Sequence, residues 1–226
     1  MSIGFRILKR QRAASSSVVE AFAKLPVANV SDSMARMTAG GPRLRPMHAS
    51  GRMAGVALTV RSRPGDNLML HKAIDMAVPG DVIVVDAGGD VTNSLIGELM
   101  LAYAVKRGVA GFVINGAIRD RPAFAETNLP TYAAGVTHRG PYKDGPGEIN
   151  VPISLDGMVI EPGDIVIGDM DGVLAVPLAD AQVVLKAAQA KQEAEARQTR
   201  AIAEGTNDRS WVDAALKERG CAFPSE

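Results

Sequence analysis

Cysteine is almost missing from this 226-residue chain, in which Cys221 stands alone. No intramolecular disulfide or thiolate-rich metal site can form, and a reducing compartment is the expected setting. Cys221 lies near the end of the tail, and with no base beside it we read it as chemically idle. Aromatic residues are also scarce, at 4%, so a core must be built from Val, Ile, Leu, Ala and Met. Neither sign of charge prevails, since 25 Lys and Arg oppose 25 Asp and Glu. That argues against nucleic acid as a partner, which calls for a broad basic surface, and leaves little net repulsion against self-association. No apolar run reaches the length of a membrane span, so no membrane partner is expected and the chain is expected in the cytoplasm.

Several signatures are lacking as well. No serine sits in a Gly-x-Ser-x-Gly turn, which argues against a serine hydrolase. The glycines at Gly88 and Gly89 do not spell a dinucleotide fingerprint, and no phosphate loop ends in Gly-Lys-Ser/Thr. The three histidines, His48, His71 and His138, are too far apart in sequence to suggest a shared zinc site, and His71 reads as structural.

What is present is a chain long enough for one compact domain with an added tail. We divide it into an N-terminal helical segment (1–26), an α/β domain (27–180), and a long C-terminal helix with tail (181–226). The first segment carries Arg6, Lys9, Arg10 and Arg12, the serine run Ser15-Ser16-Ser17, and no acid before Glu20. It faintly resembles an organelle transit segment, but a solvated helix is the plainer expectation, since no apolar signal core follows. Asn29 or Ser31 is expected to cap a helix running through Arg36 and ended by Gly40-Gly41. Residues 53–62 read as a strand, 67–76 as a helix and 81–86 as a strand. Pro122 to Arg139 looks turn-rich, with Leu129 to Tyr132 a candidate edge strand. Pro79-Gly80-Asp81 and Pro162-Gly163-Asp164 each launch an apolar run ending in aspartate, which suits strands buried on both faces. Short strands at 147–161 and 173–177 add antiparallel character. From Leu178 to Ala203 the pattern is a single amphipathic helix, ended by Gly205. Its polar second half is either a solvated face or a surface for a neighbouring subunit, and residues 206–226, with Trp211, read as a docking tail.

The most informative stretch is Gly80 to Asp120, read as strand, glycine turn, helix, strand, second glycine turn at Asn115-Gly116-Ala117, and then Arg119-Asp120. Gly97-Glu98-Leu99-Met100 opens the helix, with Asn93 or Ser94 as cap. Unpaired first-turn amides and the helix dipole can hold a carboxylate there. Arg119 can clamp an oxyanion, and Asp120 can hold a hard divalent ion with water completing its shell. Residues just past the carboxyl end of a parallel strand are where open α/β sheets bind ligands. A small anionic substrate follows from this combination.

From Val27 to Pro177 these residues resemble the RraA-like family, which includes metal-dependent aldolases for 4-hydroxy-4-methyl-2-oxoglutarate and 4-carboxy-4-hydroxy-2-oxoadipate. The likeness is carried by Val30-Ser31-Asp32-Ser33, Asp66-Asn67, the 79–86 run, Gly88-Gly89, Gly97-Glu98, Gly116 to Asp120 and Asp169 to Val173, and most specifically by the spacing of Gly97 to Arg119-Asp120. It implies a compact layered α/β sandwich with a mixed sheet, of the swivelling β/β/α type. It also implies a homotrimer or dimer of trimers with sites between subunits. By resemblance, Gly97, Glu98, Leu99 and Met100 bind the keto-acid carboxylate, Arg119 contacts substrate oxygens, and Asp120 binds magnesium or manganese. Asp32 matches a position where some aldolases carry glutamate from the adjacent subunit, and Glu193 or Glu195 can likewise reach a neighbour's site.

The implied activity is a carbon–carbon lyase reaction releasing pyruvate, with oxaloacetate decarboxylation as a side activity. A metal and Arg119 stabilise the enolate. The base is a water on the metal, or one held by Glu98 or Asp32. The motif words contain no lysine, which disfavours a Schiff base. The alternative is a non-catalytic regulator binding a ribonuclease of the E type, as some family members do. No glycine motif for a methyl donor appears, so methyltransferase chemistry finds no support.

Overall fold

The structure is a computed structural model describing residues 2–37, 40 and 42–224. The centre of its main sheet is four parallel strands: β3 (Met53–Ser62), β4 (Asp81–Asp86), β6 (Gly111–Ile118) and β7 (Thr131–Val136). Around them lie β1 (Phe5–Ile7), β2 (Arg45–Pro46), β5 (Ser94–Ile96), β8 (Gly147–Ile149), β11 (Ile165–Asp169) and β12 (Gly172–Val176). The order is β1-β8-β3-β4-β6-β7-β2, with β11 and β12 joined through β3 and β5 joined to β6. At ten residues, β3 is long enough to pair with β11 along 53–56 and with β8 along 60–62. A separate hairpin joins β9 (Ile153–Leu155) to β10 (Met158–Ile160).

Alternation along the central strands separates two cores. Val82, Val84 and Val113 pack with α1 (Ser16–Phe22), α2 (Val27–Ser33) and the β9–β12 residues. Ile83, Val85, Phe112 and Ile114 face the opposite way. They pack with α3 (Leu68–Met76), α4 (Glu98–Lys106) and α5 (Arg121–Thr127). The fold is thus a mixed α/β sandwich: a small β layer and a helical layer on either side of one sheet. The second helix of the chain's tail, α7 (Ser210–Glu218), follows α6 (Ala181–Ala203). Contacts divide the chain into units 1–188 and 189–226. Within the second, Ile202, Trp211, Leu216 and Phe223 are exposed. Among the described residues no helix is long and apolar enough to cross a membrane.

Four local expectations need correction. The N-terminal segment is not a solvated helix: β1 adds parallel to β8, and helix begins only at Ser16. Its arginines pair with carboxylates lying inside the protein, Arg6 with Glu148 at 2.7 Å and Arg10 with Asp81 at 2.6 Å. Burial alone would raise the Glu148 pKa, but the Gly4 amide, Arg6 and Arg61 outweigh it and hold the carboxyl below its ordinary range.

The helix expected through Arg36 stops at Ser33, because Ala35 and Arg36 take left-handed backbone with φ of 56° and 62°. Of its expected Gly40-Gly41 terminator, Gly41 lies outside the described residues. Neither Asn29 nor Ser31 caps that helix: the Val27 amide donates to Asp169 Oδ2 at 3.0 Å, so the cap arrives from a distant strand.

The turn expected at 115–117 is continuous strand. Irregularity there takes the form of register shifts, against β7 between Ile114 and Ala117 and against β5 between Ser94 and Ile96. Finally, the turn-rich segment after Asp120 contains α5, with Pro122 in its first turn, where a missing amide costs nothing. The expected edge strand is β7, and β2 lies outside it.

The two Pro-Gly-Asp turns do share one solution. Asp81 Oδ2 accepts the Val78 amide at 3.1 Å and Asp164 Oδ2 accepts the Glu161 amide at 2.9 Å.

Candidate active site

One cavity of about 160 Å³ opens at the start of α4. Its lining includes Asn67, His71, the 94–100 segment, Arg119, Asp120 and Lys143. The geometry begins with β5. Ser94 pairs with Ala117 and Ile96 with Ile118, so the chain arrives parallel to the end of β6. Asn93 or Ser94 was expected as helix cap; instead Gly97 is the N-cap, Asn93 donates to Gly140 O, and Ser94 is held by Arg139, whose carbonyl accepts both its amide and its hydroxyl at 2.9 Å. Because Ile96 lies beside Ile118, the next residues, Gly97 and Arg119, become neighbours, with the Arg119 amide donating to Ile96 O at 3.0 Å.

That closeness leaves no room for a Cβ unless the Asp120 carboxylate moves. A Cβ on Gly97 would collide with Asp120 Oδ2 and lie 3.0 Å from Arg119 Nε. Asp120 adopts left-handed backbone (φ 56°, ψ 40°), uncommon for a residue with a side chain and found where local structure is over-determined at functional sites. Its carboxylate accepts the Glu98 amide at 3.1 Å and stands 3.6 Å from Arg119 Nε. The helix start therefore already holds one carboxylate, next to the amides of Leu99 and Met100. The sequence placed Gly97 to Met100, Arg119 and Asp120 together, and the structure does bring them to one cavity.

Asp32 is not in this lining; it is on α2, ion-paired with Arg36 at 2.7 Å. Glu193 and Glu195 lie on α6, with Glu195 3.3 Å from Lys191. The Gly88-Gly89 turn is absent from the lining too. Gly89 sits against the Arg43 guanidinium, which reaches Asn115 and Asp156.

Three further lining residues were missed. Asn67, at the head of α3, is 2% exposed. Its Nδ2 donates to Leu95 O at 2.9 Å, while its Oδ1 is buried with no hydrogen-bond partner. A buried acceptor without a donor is costly. His71 follows one helical turn later on the same face of α3. Partial burial, then the Lys143 charge, lower its pKa against the pull of Asp75. Lys143 itself comes from the loop after β7. The lysine-free motif was thus no guide to the cavity. Yet the Lys143 side chain is exposed, without the desolvation that usually activates a Schiff-base lysine. The one signal for Asn67 was its place in the Asp66-Asn67 motif; His71 and Lys143 carried none.

Comparison with known proteins gives the family. Residues 27–175 match the family model RraA-like, described as Aldolase/RraA. A protein of Halalkalibacterium halodurans, provisionally named 4-hydroxy-4-methyl-2-oxoglutarate aldolase, is 40% identical over 81% of this chain and 87% of its own. A 4-hydroxy-4-methyl-2-oxoglutarate aldolase of Thermus thermophilus is 33% identical over 56% of this chain and 76% of its own. Among solved structures, the RNA-processing inhibitor RraA from Thermus thermophilis superposes with a TM-score of 0.63 at 29% identity, covering 68% of this chain and 93% of that one. The chain belongs to the RraA-like family.

Proposed function

We propose that this protein is a divalent-metal-dependent pyruvate aldolase, a carbon–carbon lyase acting on 4-hydroxy-2-oxo diacids, with oxaloacetate decarboxylation as a side reaction. The observation that carries this reading is the meeting of the α4 opening, Arg119 and Asp120 across Gly97 in one small cavity. The names of the aldolase relatives agree with it.

The donor set suits a magnesium-type ion. Among the described residues no three His, Cys, Asp or Glu side chains form a metal cluster. The lining nevertheless offers the Asp120 carboxylate with Glu98 nearby, and such ions commonly take one or two carboxylates and complete their shell with water and substrate oxygens. When bound, the cation supplies Lewis-acid polarisation of the substrate's keto oxygen. The chain supplies the rest. The Leu99 and Met100 amides receive the keto-acid carboxylate. Arg119 sets a permanent positive charge against the oxygen that becomes anionic.

Cleavage removes the proton from the C4 hydroxyl, breaks C3–C4 and leaves that bonding pair in the pyruvate enolate, while C4 departs as a carbonyl. Protonation at C3 completes pyruvate. Glu98 can hold the water that accepts the hydroxyl proton, and Asn67 lines the same cavity. His71 and Lys143 face the distal, anionic part of a diacid. Asp32 and Glu193 or Glu195 act, on this reading, from an adjacent subunit of a trimer or a dimer of trimers.

Pyruvate release from 4-hydroxy-4-methyl-2-oxoglutarate and from oxaloacetate, followed with magnesium and with chelator, tests the proposal. Turnover indifferent to chelator contradicts it. The likeness to an RNA-processing inhibitor favours a second reading, a regulator that binds ribonuclease E. Tight ribonuclease capture together with no lyase turnover would select that reading.

A further inference from the structure

We propose that Asp66 is a positioning residue of the cavity, holding the Lys143 loop against the wall built by Asn67. This rests on the aldolase reading of the same cavity. Asp66 is fully buried and stands behind the lining, not in it. Its carboxylate is spent on backbone amides. Oδ2 accepts Asp144 at 2.7 Å and Gly145 at 2.9 Å, and Oδ1 accepts Leu68 at 2.9 Å, in the first turn of α3. Arg63 adds a cation 3.4 Å from Oδ2 and lies over the Tyr142 ring at 5.7 Å. Two backbone hydrogen bonds complete the clasp, Asn67 amide to Tyr142 O at 3.0 Å and Tyr142 amide to Gly65 O at 2.8 Å.

The two lining residues joined this way come from segments far apart in the chain. Asn67 directly follows Asp66, and Lys143 directly precedes the first loop amide that Asp66 accepts. A helix cap alone would need only the Leu68 contact. The other two amides belong to an irregular loop, where the carboxylate adds a side-chain tie at Asp144 and Gly145 to the backbone bonds at Tyr142. Charge-assisted bonds of this kind are about twice as strong as neutral ones. An amide in place of the carboxylate cannot satisfy all three donors, because its nitrogen must present hydrogens either to the two loop amides or to the Leu68 amide.

The test compares full-length wild type, Asp66→Asn, Lys143→Met and the double variant, all with magnesium. With 4-hydroxy-4-methyl-2-oxoglutarate, Asp66→Asn should raise KM by about tenfold or more, with kcat less affected, since misplacing a positioning group by about 1 Å can cost up to about a hundredfold. Adding it to Lys143→Met should change KM no further. Trypsin should cut after Lys143 readily in Asp66→Asn and slowly in wild type. Hydrogen exchange in the wild type decides the matter even if Asp66→Asn does not fold: the Asp144 and Gly145 amides should be protected. Exchange at open-loop rates, or KM effects that multiply in the double variant, would overturn the assignment. Should wild type cleave no hydroxy diacid, the aldolase reading falls, while the protease and exchange results still judge the clasp.

Discussion

The cavity has two unlike walls. One is made of main chain: the α4 opening, placed by β5 and fitted against Arg119 and Asp120 across a glycine. The other is made of side chains, Asn67 and His71 on α3 and Lys143 on a loop, held together by a buried carboxylate. In the proposed reaction the first wall meets the keto-acid half that every substrate shares. The second meets the half that differs between substrates. A main-chain wall cannot easily change by substitution, whereas a side-chain wall can. Chemistry should therefore reside in the first and preference in the second.

The largest effect should come from damage to the main-chain wall. Gly97→Ala puts a Cβ into the Asp120 carboxylate. Pyruvate release should fall by about a hundredfold or more in kcat, since displacement of this order is costly in a catalytic site. Circular dichroism should show the fold retained.

Arg119→Lys comes next. It keeps the charge but loses the planar fork, and kcat should drop by about ten- to a hundredfold, less than the outright loss of an oriented donor would cost. A wild-type rate would remove Arg119 from the charge-stabilising role.

On the side-chain wall, Asn67→Ala and Lys143→Met should act mainly on KM for diacids, by about tenfold, and leave kcat for oxaloacetate decarboxylation less changed. Borohydride added with pyruvate should leave Lys143 unmodified. A trapped adduct there would replace the metal route with a Schiff base.

The smallest effect concerns His71. Its pKa lies below the ordinary histidine value, so as pH falls the unfolded chain takes up this proton before the folded one. His71 thus removes stability as pH drops from about 6.5, and His71→Asn should make the acid side of the urea-midpoint profile slightly flatter. A steeper profile would reverse the sign.

The sequence made this contrast half visible. Elements with local causes were legible: β3 and β4 from apolar runs, α3 from its spacing, and Arg119-Asp120 from its place after a strand. Elements with distant causes were not. Ser94 to Ile96 has no strand signature of its own; it is strand because β6 extends past Asn115 to receive it. The α2 cap comes from Asp169, and the basic N-terminus is ordered by Glu148 and Asp81, far along the chain. Pro122 reads as a breaker but sits where a helix tolerates it. His71 and Lys143 become neighbours of the site only through topology, and no local pattern marks them.

The central claim is that one cation and one guanidinium share the developing enolate charge at the α4 opening. Crystals grown with manganese and pyruvate test it most directly, through the anomalous signal of the metal. The account predicts a manganese peak within bonding distance of the Asp120 carboxylate, with the pyruvate carboxylate on the Leu99 and Met100 amides. A metal bound elsewhere, or pyruvate resting on Lys143 away from Arg119, would contradict it.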